Sequence, residues 1–338
     1  MKYTRLITLL AASTMLATFS AHAYDKDGDG KEPHHKKHHH KAPLHRYTLT
    51  GGATYLAPAM NGLDYVDVIT DAPASTYYYD AENINPNYNW GYFLAFGYMI
   101  SSHYDIQASW QQFNSSQSES TSVPGSASTT MLTSSNTSID VPAGVTDEAE
   151  SEETLKTQSF DATLGQYHKL SSMLTARPFV GVKYAQVNSN TENEYTGTSI
   201  DLPIMESYDS KFTGVGPEIG LDAEYKIVKH FGVTGHIAAA FLVGDLKTST
   251  DISGEGSSSD FDGEKNNRVV PALDAKLGLN WNSLYSHDKF GVGIEGGYQV
   301  AYYFDVVDQV QVSSDAGLTH NYSDVGIMGP YLNLSARF

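Results

Sequence analysis

A closed antiparallel β-barrel of about ten strands, spanning an outer membrane, is the fold that this sequence predicts. Three observations predict it: an export leader with no later segment apolar enough to form a membrane helix, repeated apolar/polar alternation, and connections that alternate long and short.

The 338 residues fit one domain, because all-β barrels often exceed 200 residues as a single unit. Lys and Arg number 21 against 39 Asp and Glu, for a formal net charge of −18. Phosphate recognition needs a basic footprint, so nucleic acid is excluded as a partner. With Cys 0, disulfides, thiolate metal sites and cysteine nucleophiles are excluded too. Abundant Tyr and Gly with few charged residues favour strands over helices.

Lys2 and Arg5 precede an apolar run from Leu6 to Phe19, and Ala21-His22-Ala23 supplies a small-x-small cleavage site. The reading is a signal peptide over 1–23, with the mature chain starting at Tyr24. An exported chain without membrane helices is either soluble in the periplasm or a barrel in the outer membrane.

Residues 24–45 form a His-rich segment with His34, His35, His38, His39, His40 and His45 among several lysines. Neutral imidazoles at this density bind Zn²⁺ or Ni²⁺ weakly and without fixed geometry; the alternative is a plain basic periplasmic tail. Asp25 to Gly30 imitates the start of a calcium loop, but Lys36 occupies the place of the bidentate Glu, which argues against an EF-hand. No other cofactor is expected.

From residue 46 onward the alternation takes over. Trp90 to Ile100 places Trp90, Tyr92, Leu94, Phe96 and Tyr98 on one face, and Tyr104 to Phe113 opposes Ile106 and Trp110 to Asp105 and Gln107. Arg177 to Ala185 opposes Val180 and Val182 to Arg177 and Lys183. From Gly214 to Lys226 the odd positions Val215, Ile219 and Leu221 oppose Glu218, Asp222, Glu224 and Lys226. Arg268 to Trp281 and Phe290 to Phe304 repeat the split, with Leu277 against Lys276 and Val292 against Glu295. Weaker versions cover 46–56, 157–169 and 231–245, and the last strand runs from Val325 to the terminal Phe338. Period two over such lengths means strand.

A soluble β-sandwich would alternate as well. Aromatics such as Trp90, Trp110, Trp281, Phe290 and Phe304 sit at the ends of the apolar faces, as interfacial girdles do. The predicted connections run long and short in turn: 58–89, 101–102, 114–154, 171–174, 188–211, 228–230, 246–267, 282–288 and 305–324. Long extracellular loops over short periplasmic turns describe an outer-membrane barrel, here over 46–338.

The run Arg177-Pro178-Phe179-Val180-Gly181-Val182-Lys183-Tyr184-Ala185, the run Phe212 to Glu218 and the run Leu242 to Leu246 resemble the Legionella-type major outer-membrane protein family. The resemblance covers most of 46–338. It implies a surface-exposed barrel with porin-like or adhesive roles and brings no catalytic residues.

On this parity the lumen holds Asp105, Asp161, Glu218, Asp222, Glu224, Asp274 and Glu295 with Arg177, Lys183, Lys226, Arg268, Lys276 and Arg337. Two readings follow: a plug of mutually paired charges, or a carboxylate-lined cation path. An outer-membrane enzyme is disfavoured, since His168, His236, His287 and His320 stand singly in the sequence. The stretch from Asn114 to Thr154 is Ser, Thr and acid, and is expected to be a mobile loop. Its carboxylates suit divalent cations bridging lipopolysaccharide, or contact with a host surface. Outer-membrane lipid and lipopolysaccharide are the expected partners, and no feature sets an oligomeric state.

Overall fold

The computed structural model describes residues 46–60, 63–72, 76–122, 130–134, 147–197, 203–254, 257–263, 265–285, 290–312 and 318–338. The leader, its cleavage site and the His-rich segment lie outside these residues.

In chain order the strands are β1 (Tyr47–Met60), β2 (Asp64–Ala72), β3 (Thr76–Asn83), β4 (Asn89–Met99), β5 (Tyr104–Ser122), β6 (Thr130–Ser134), β7 (Glu148–Gln166) and β8 (His168–Lys169). They continue as β9 (Leu174–Thr196), β10 (Ile204–Lys226), β11 (Phe231–Gly254), β12 (Ser257–Asp262), β13 (Asn266–Tyr285), β14 (Phe290–Val312) and β15 (Leu318–Arg337). Ten of them close an antiparallel barrel in the order β10-β11-β13-β14-β15-β1-β4-β5-β7-β9, with β9 returning to β10. The first and last barrel strands pair from Thr48 opposite Arg337 to Met60 opposite Val325, so the membrane-crossing part of the sheet has no free edge among the described residues.

The alternation read from the sequence sets which side chains meet lipid. Leu277 is 65 % and Ile219 59 % exposed on the outer surface, whereas the neighbouring Glu218 is 4 % exposed inside. Tyr47 stacks on Phe338 with ring centroids 5.8 Å apart, and Tyr55 meets Trp90 at 5.0 Å. These clusters mark the two ends of the apolar belt at adjacent strands.

The strands are longer than the sequence pattern suggests. β9, β10 and β14 have 23 residues each and β11 has 24, while about ten suffice to cross a membrane. The excess continues the sheet outward. Much of the expected loop 114–154 is therefore strand: β5 and β7 stay paired up to Ser122 opposite Glu148. Alternation is hard to see there because both faces are polar: the outward one meets water, and the inward one buries Ser115, Ser151 and Glu153.

Two elements fold over the mouth. β3, β2 and β6 form a small separate sheet, which buries Leu63, Tyr65, Val66 and Leu132 against Ala149, Tyr195 and Ile204 of the barrel extensions. The Tyr195 hydroxyl donates to the Tyr65 carbonyl at 2.7 Å. The second element is the upper part of β14. Its pairing with β13 ends at Tyr303 and its register with β15 shifts between Tyr303 and Val307. Asp305 takes a positive φ of 48° there, a conformation that costs a non-glycine residue energy and redirects the chain. From Val306 to Val310 every residue is buried, so both faces of the strand are covered. The Asp308 N–H donates to Ser210 Oγ at 3.0 Å, and the Thr250 hydroxyl donates to the Val310 carbonyl at 3.1 Å. β14 thus crosses from its own place in the barrel to β10 and β11.

Arg placed at Leu277, near the middle of the apolar belt, is expected to cost about 2–4 kcal/mol of folding stability in phospholipid vesicles. Refolding titrations measure it, and a cost no larger than that of Arg at Ser118, beyond the belt, would overturn the placement.

Candidate functional site in the barrel interior

The register of the strands assembles the interior charges. Arg177 on β9 lies directly opposite Asp222 on β10, which lies opposite His236 on β11, which lies opposite Lys276 on β13. Arg177 donates from Nε to Asp105 at 2.8 Å and from Nη1 to Asp222 at 2.7 Å, and its side chain is 4 % exposed. Asp222 also accepts from His236 Nδ1 at 2.6 Å. Room for the guanidinium comes from Gly165, where a Cβ would sit 2.2 Å from Arg177 Nε.

A second cluster centres on Lys183. Its Nζ lies 2.9 Å from Asp161 and 3.0 Å from Asp274, with Glu218 at 3.9 Å. One buried ammonium thus serves three carboxylates. The remaining members are held by neutral partners: Asn280 donates to Glu224 at 2.9 Å, Tyr331 donates to Glu295 at 2.7 Å, and Arg337 donates to Asn282 at 3.3 Å. The Lys276 ammonium lies 4.5 Å from the Phe93 ring centroid. Around these groups is a cavity of about 360 Å³, bounded toward the periplasmic turns by Glu224, Asn280 and Arg337.

Two residues expected in this network are elsewhere. Arg268 has the right parity but sits farther toward the outside, its guanidinium 3.8 Å from the Tyr322 ring centroid. Lys226 is exposed at the periplasmic end of β10. Asn280 and Tyr331 complete the network; the alternation places both on the inward parity, but the sequence reading names only the charged residues of that face as the network.

Sequence reading also missed what lies above the cavity. Leu56, Phe113, Leu155, Val187, Phe212, Leu242, Val270, Tyr303, Val307, Val325 and Ile327 point inward and form one apolar cluster. They come from nine of the ten barrel strands, β4 alone being absent, and none is more than 5 % exposed. The signal was available as paired apolar neighbours: Leu242-Val243 and Val269-Val270 are apolar on both faces, which fits strands buried on both sides.

The histidines are less isolated than the sequence implies. His236 meets Asp222, and beyond the membrane His320 Nδ1 meets Asp308 Oδ2 at 2.8 Å. Among the described residues no hydroxyl is bonded to either imidazole. His168 is exposed at β8, and His287 lies outside the described residues.

Above the apolar layer, and outside the membrane, Glu153 is buried with Ser189 donating at 2.7 Å and Thr191 donating as well. Burial raises its pKa, and the two hydroxyls offset part of that rise. The unfolded chain therefore releases this proton first, and stability falls as pH rises through the interval between the unfolded and folded values. Glu153→Gln is expected to flatten that fall and to raise the melting temperature near neutral pH. Thermal unfolding of detergent-folded protein between about pH 4 and pH 8 checks it; parallel curves for the two proteins would contradict the burial argument.

Arg177→Met strands two carboxylates and is expected to cost about 3–5 kcal/mol. Adding Asp105→Asn and Asp222→Asn should restore most of it in denaturant titrations. No restoration would mean that Arg177 acts by packing alone.

Comparison with known proteins supplies the lineage. Similar solved structures include the outer membrane protease OmpT from Escherichia coli, with 10 % identity, a TM-score of 0.41, and 88 % of this chain and 98 % of that chain covered. The translocator domain of the autotransporter NalP from Neisseria meningitidis matches with 10 % identity, a TM-score of 0.36, and coverage of 87 % and 88 %. The attachment invasion locus protein Ail of Yersinia pestis matches with 11 % identity, a TM-score of 0.24, and coverage of 87 % and 99 %. No curated protein sequence matches the chain. The family model of the Legionella pneumophila major outer membrane protein precursor matches residues 42–338. The chain therefore belongs to the Legionella major outer membrane protein family.

Proposed function

We propose that this outer-membrane barrel is a sealed, surface-structural protein and that its lumen does not conduct solutes. The observation that carries this reading is the inward apolar layer. Side chains lining an aqueous pore stay in contact with water, whereas Leu56, Phe212, Leu242 and Val270 are each 0 % exposed. A conducting ion would leave its hydration shell to cross that layer, and among the described residues no charged or carbonyl ring replaces the shell there. The charges lie below it as buried pairs, a use that fixes the strands against one another more than it guides ions.

Planar-bilayer recording on refolded full-length protein tests the reading. The wild type should give no discrete conductance steps, and a variant with Phe113, Phe212 and Leu242 each changed to Ser should give them. Steps from the wild type that persist at the same amplitude in a variant lacking the Lys183 charge, or that shift selectivity with it, would establish a conducting lumen and overturn the proposal.

A further inference from the structure

The registers of β5, β7, β9, β10 and β11 also order the outer surface, in rows that run across the strands. Trp110, Phe160, Tyr184, Val215 and Val243 are mutual cross-strand neighbours and form the last apolar row. Two residues farther along each strand comes a row of Gln112, Gln158, Gln186, Thr213 and Asp245. Two residues farther again come Asn114, Lys156, Asn188, Lys211 and Lys247. Side chains alternate, so all three rows face outward.

The third row stands about 13 Å along the strands from the last apolar one, which at a tilt of about 40° is about 10 Å of height, so its side chains lie on the headgroup side of the acyl chains. Lys211 and Lys247 are directly opposite each other. Like charges so placed repel and destabilise the pair. Among the described residues none of Lys156, Lys211 and Lys247 makes an ion pair, in contrast to Lys265, which holds Asp245 at 2.8 Å. Lys156, Asn188 and Lys211 line the membrane side of a groove of about 380 Å³; Asp209, Glu192 and Glu152 line its far side. At the upper limit of the apolar face on β14 and β15 stand Asp305 and Asp324.

We propose that the outward face of β5, β7, β9, β10 and β11 is a docking surface for an outer-leaflet glycolipid, whose phosphate groups are held by Lys156, Lys211 and Lys247. The acyl chains lie on the apolar rows below, and the phosphates reach the lysine row from the membrane side. The bound anion relieves the repulsion between Lys211 and Lys247. The surface belongs to the outside of the barrel, so its occupancy is independent of whether the lumen conducts.

The test uses the full chain refolded in zwitterionic detergent with a chelator present, so that metal ions bridged by the acidic residues do not contribute. The probe is diphosphorylated lipid A, with its dephosphorylated form and inorganic phosphate as comparisons, and binding is read by native mass spectrometry. Heat-dependent gel migration shows which variants are folded. The variant K156Q/K211Q/K247Q should bind lipid A roughly a hundredfold more weakly than wild type, the factor that three lysines supply at a charged membrane surface. The variant K169Q/K226Q/K229Q carries the same charge change at the periplasmic turns and should bind as wild type does. Equal losses in the two variants, or equal wild-type binding of lipid A and its dephosphorylated form, would overturn the proposal. Full displacement by millimolar inorganic phosphate would also overturn it, by marking a free-phosphate site.

Discussion

Everything in this molecule depends on the hydrogen-bonded closure of β1 onto β15. In hydrocarbon an unpaired backbone N–H or C=O has no water to turn to, so a sheet that crosses the membrane must bond every strand on both sides. Closure fixes the strand order, and strand order with register decides which side chains meet. Arg177, Asp222, His236 and Lys276 come together because four neighbouring strands place them in one row. The same arithmetic on the opposite face lines up Lys156, Lys211 and Lys247. Shifting any one strand by a residue would exchange lipid-facing and interior sets along its whole length.

Closure also creates a problem of contents. A barrel of this size has an interior that side chains can fill, and this chain fills it in two ways. Toward the periplasm it places charges: Arg177 and Lys183 each serve more than one carboxylate, Glu224 and Glu295 accept from an asparagine and a tyrosine, and Lys276 lies over the Phe93 ring. Farther out it places leucine, valine and phenylalanine, whose side chains are buried against one another in one layer. The mouth is then finished by two inserted elements, the β2-β3-β6 sheet and the upper part of β14. A positive φ at Asp305 is the local cost of turning β14 inward, and the burial of Val306, Val307 and Val310 offsets it.

The lipid-facing half of this design was legible in the sequence because lipid is a uniform solvent. Every outward position from Val215 to Leu221 must be apolar, and the pattern needs no tertiary knowledge. The interior was half legible. Charged residues on the inward parity declared themselves, and Asp105, Arg177, Lys183, Glu218 and Asp274 do meet. Apolar residues on that parity did not, since Leu242 beside Val243 reads as a blurred alternation when it is in fact a strand covered on both faces. Arg268 satisfied the parity but lies on the far side of the apolar layer, and height along a strand is set by register with neighbours. The inward turn of β14 depends on Ser210 and Thr250, residues remote in sequence that carry no local signal.

Because the chain has no cysteine, single cysteines report water access without background. The most direct measurement is the reaction of a membrane-impermeant thiol reagent with Val270→Cys and with Asn280→Cys in refolded barrel opened to reagent on both faces. A sealed lumen predicts that the cysteine at 280, beside the periplasmic cavity, is labelled while the one at 270 stays protected until the protein is unfolded. Rapid labelling at 270 in the folded barrel would contradict the seal.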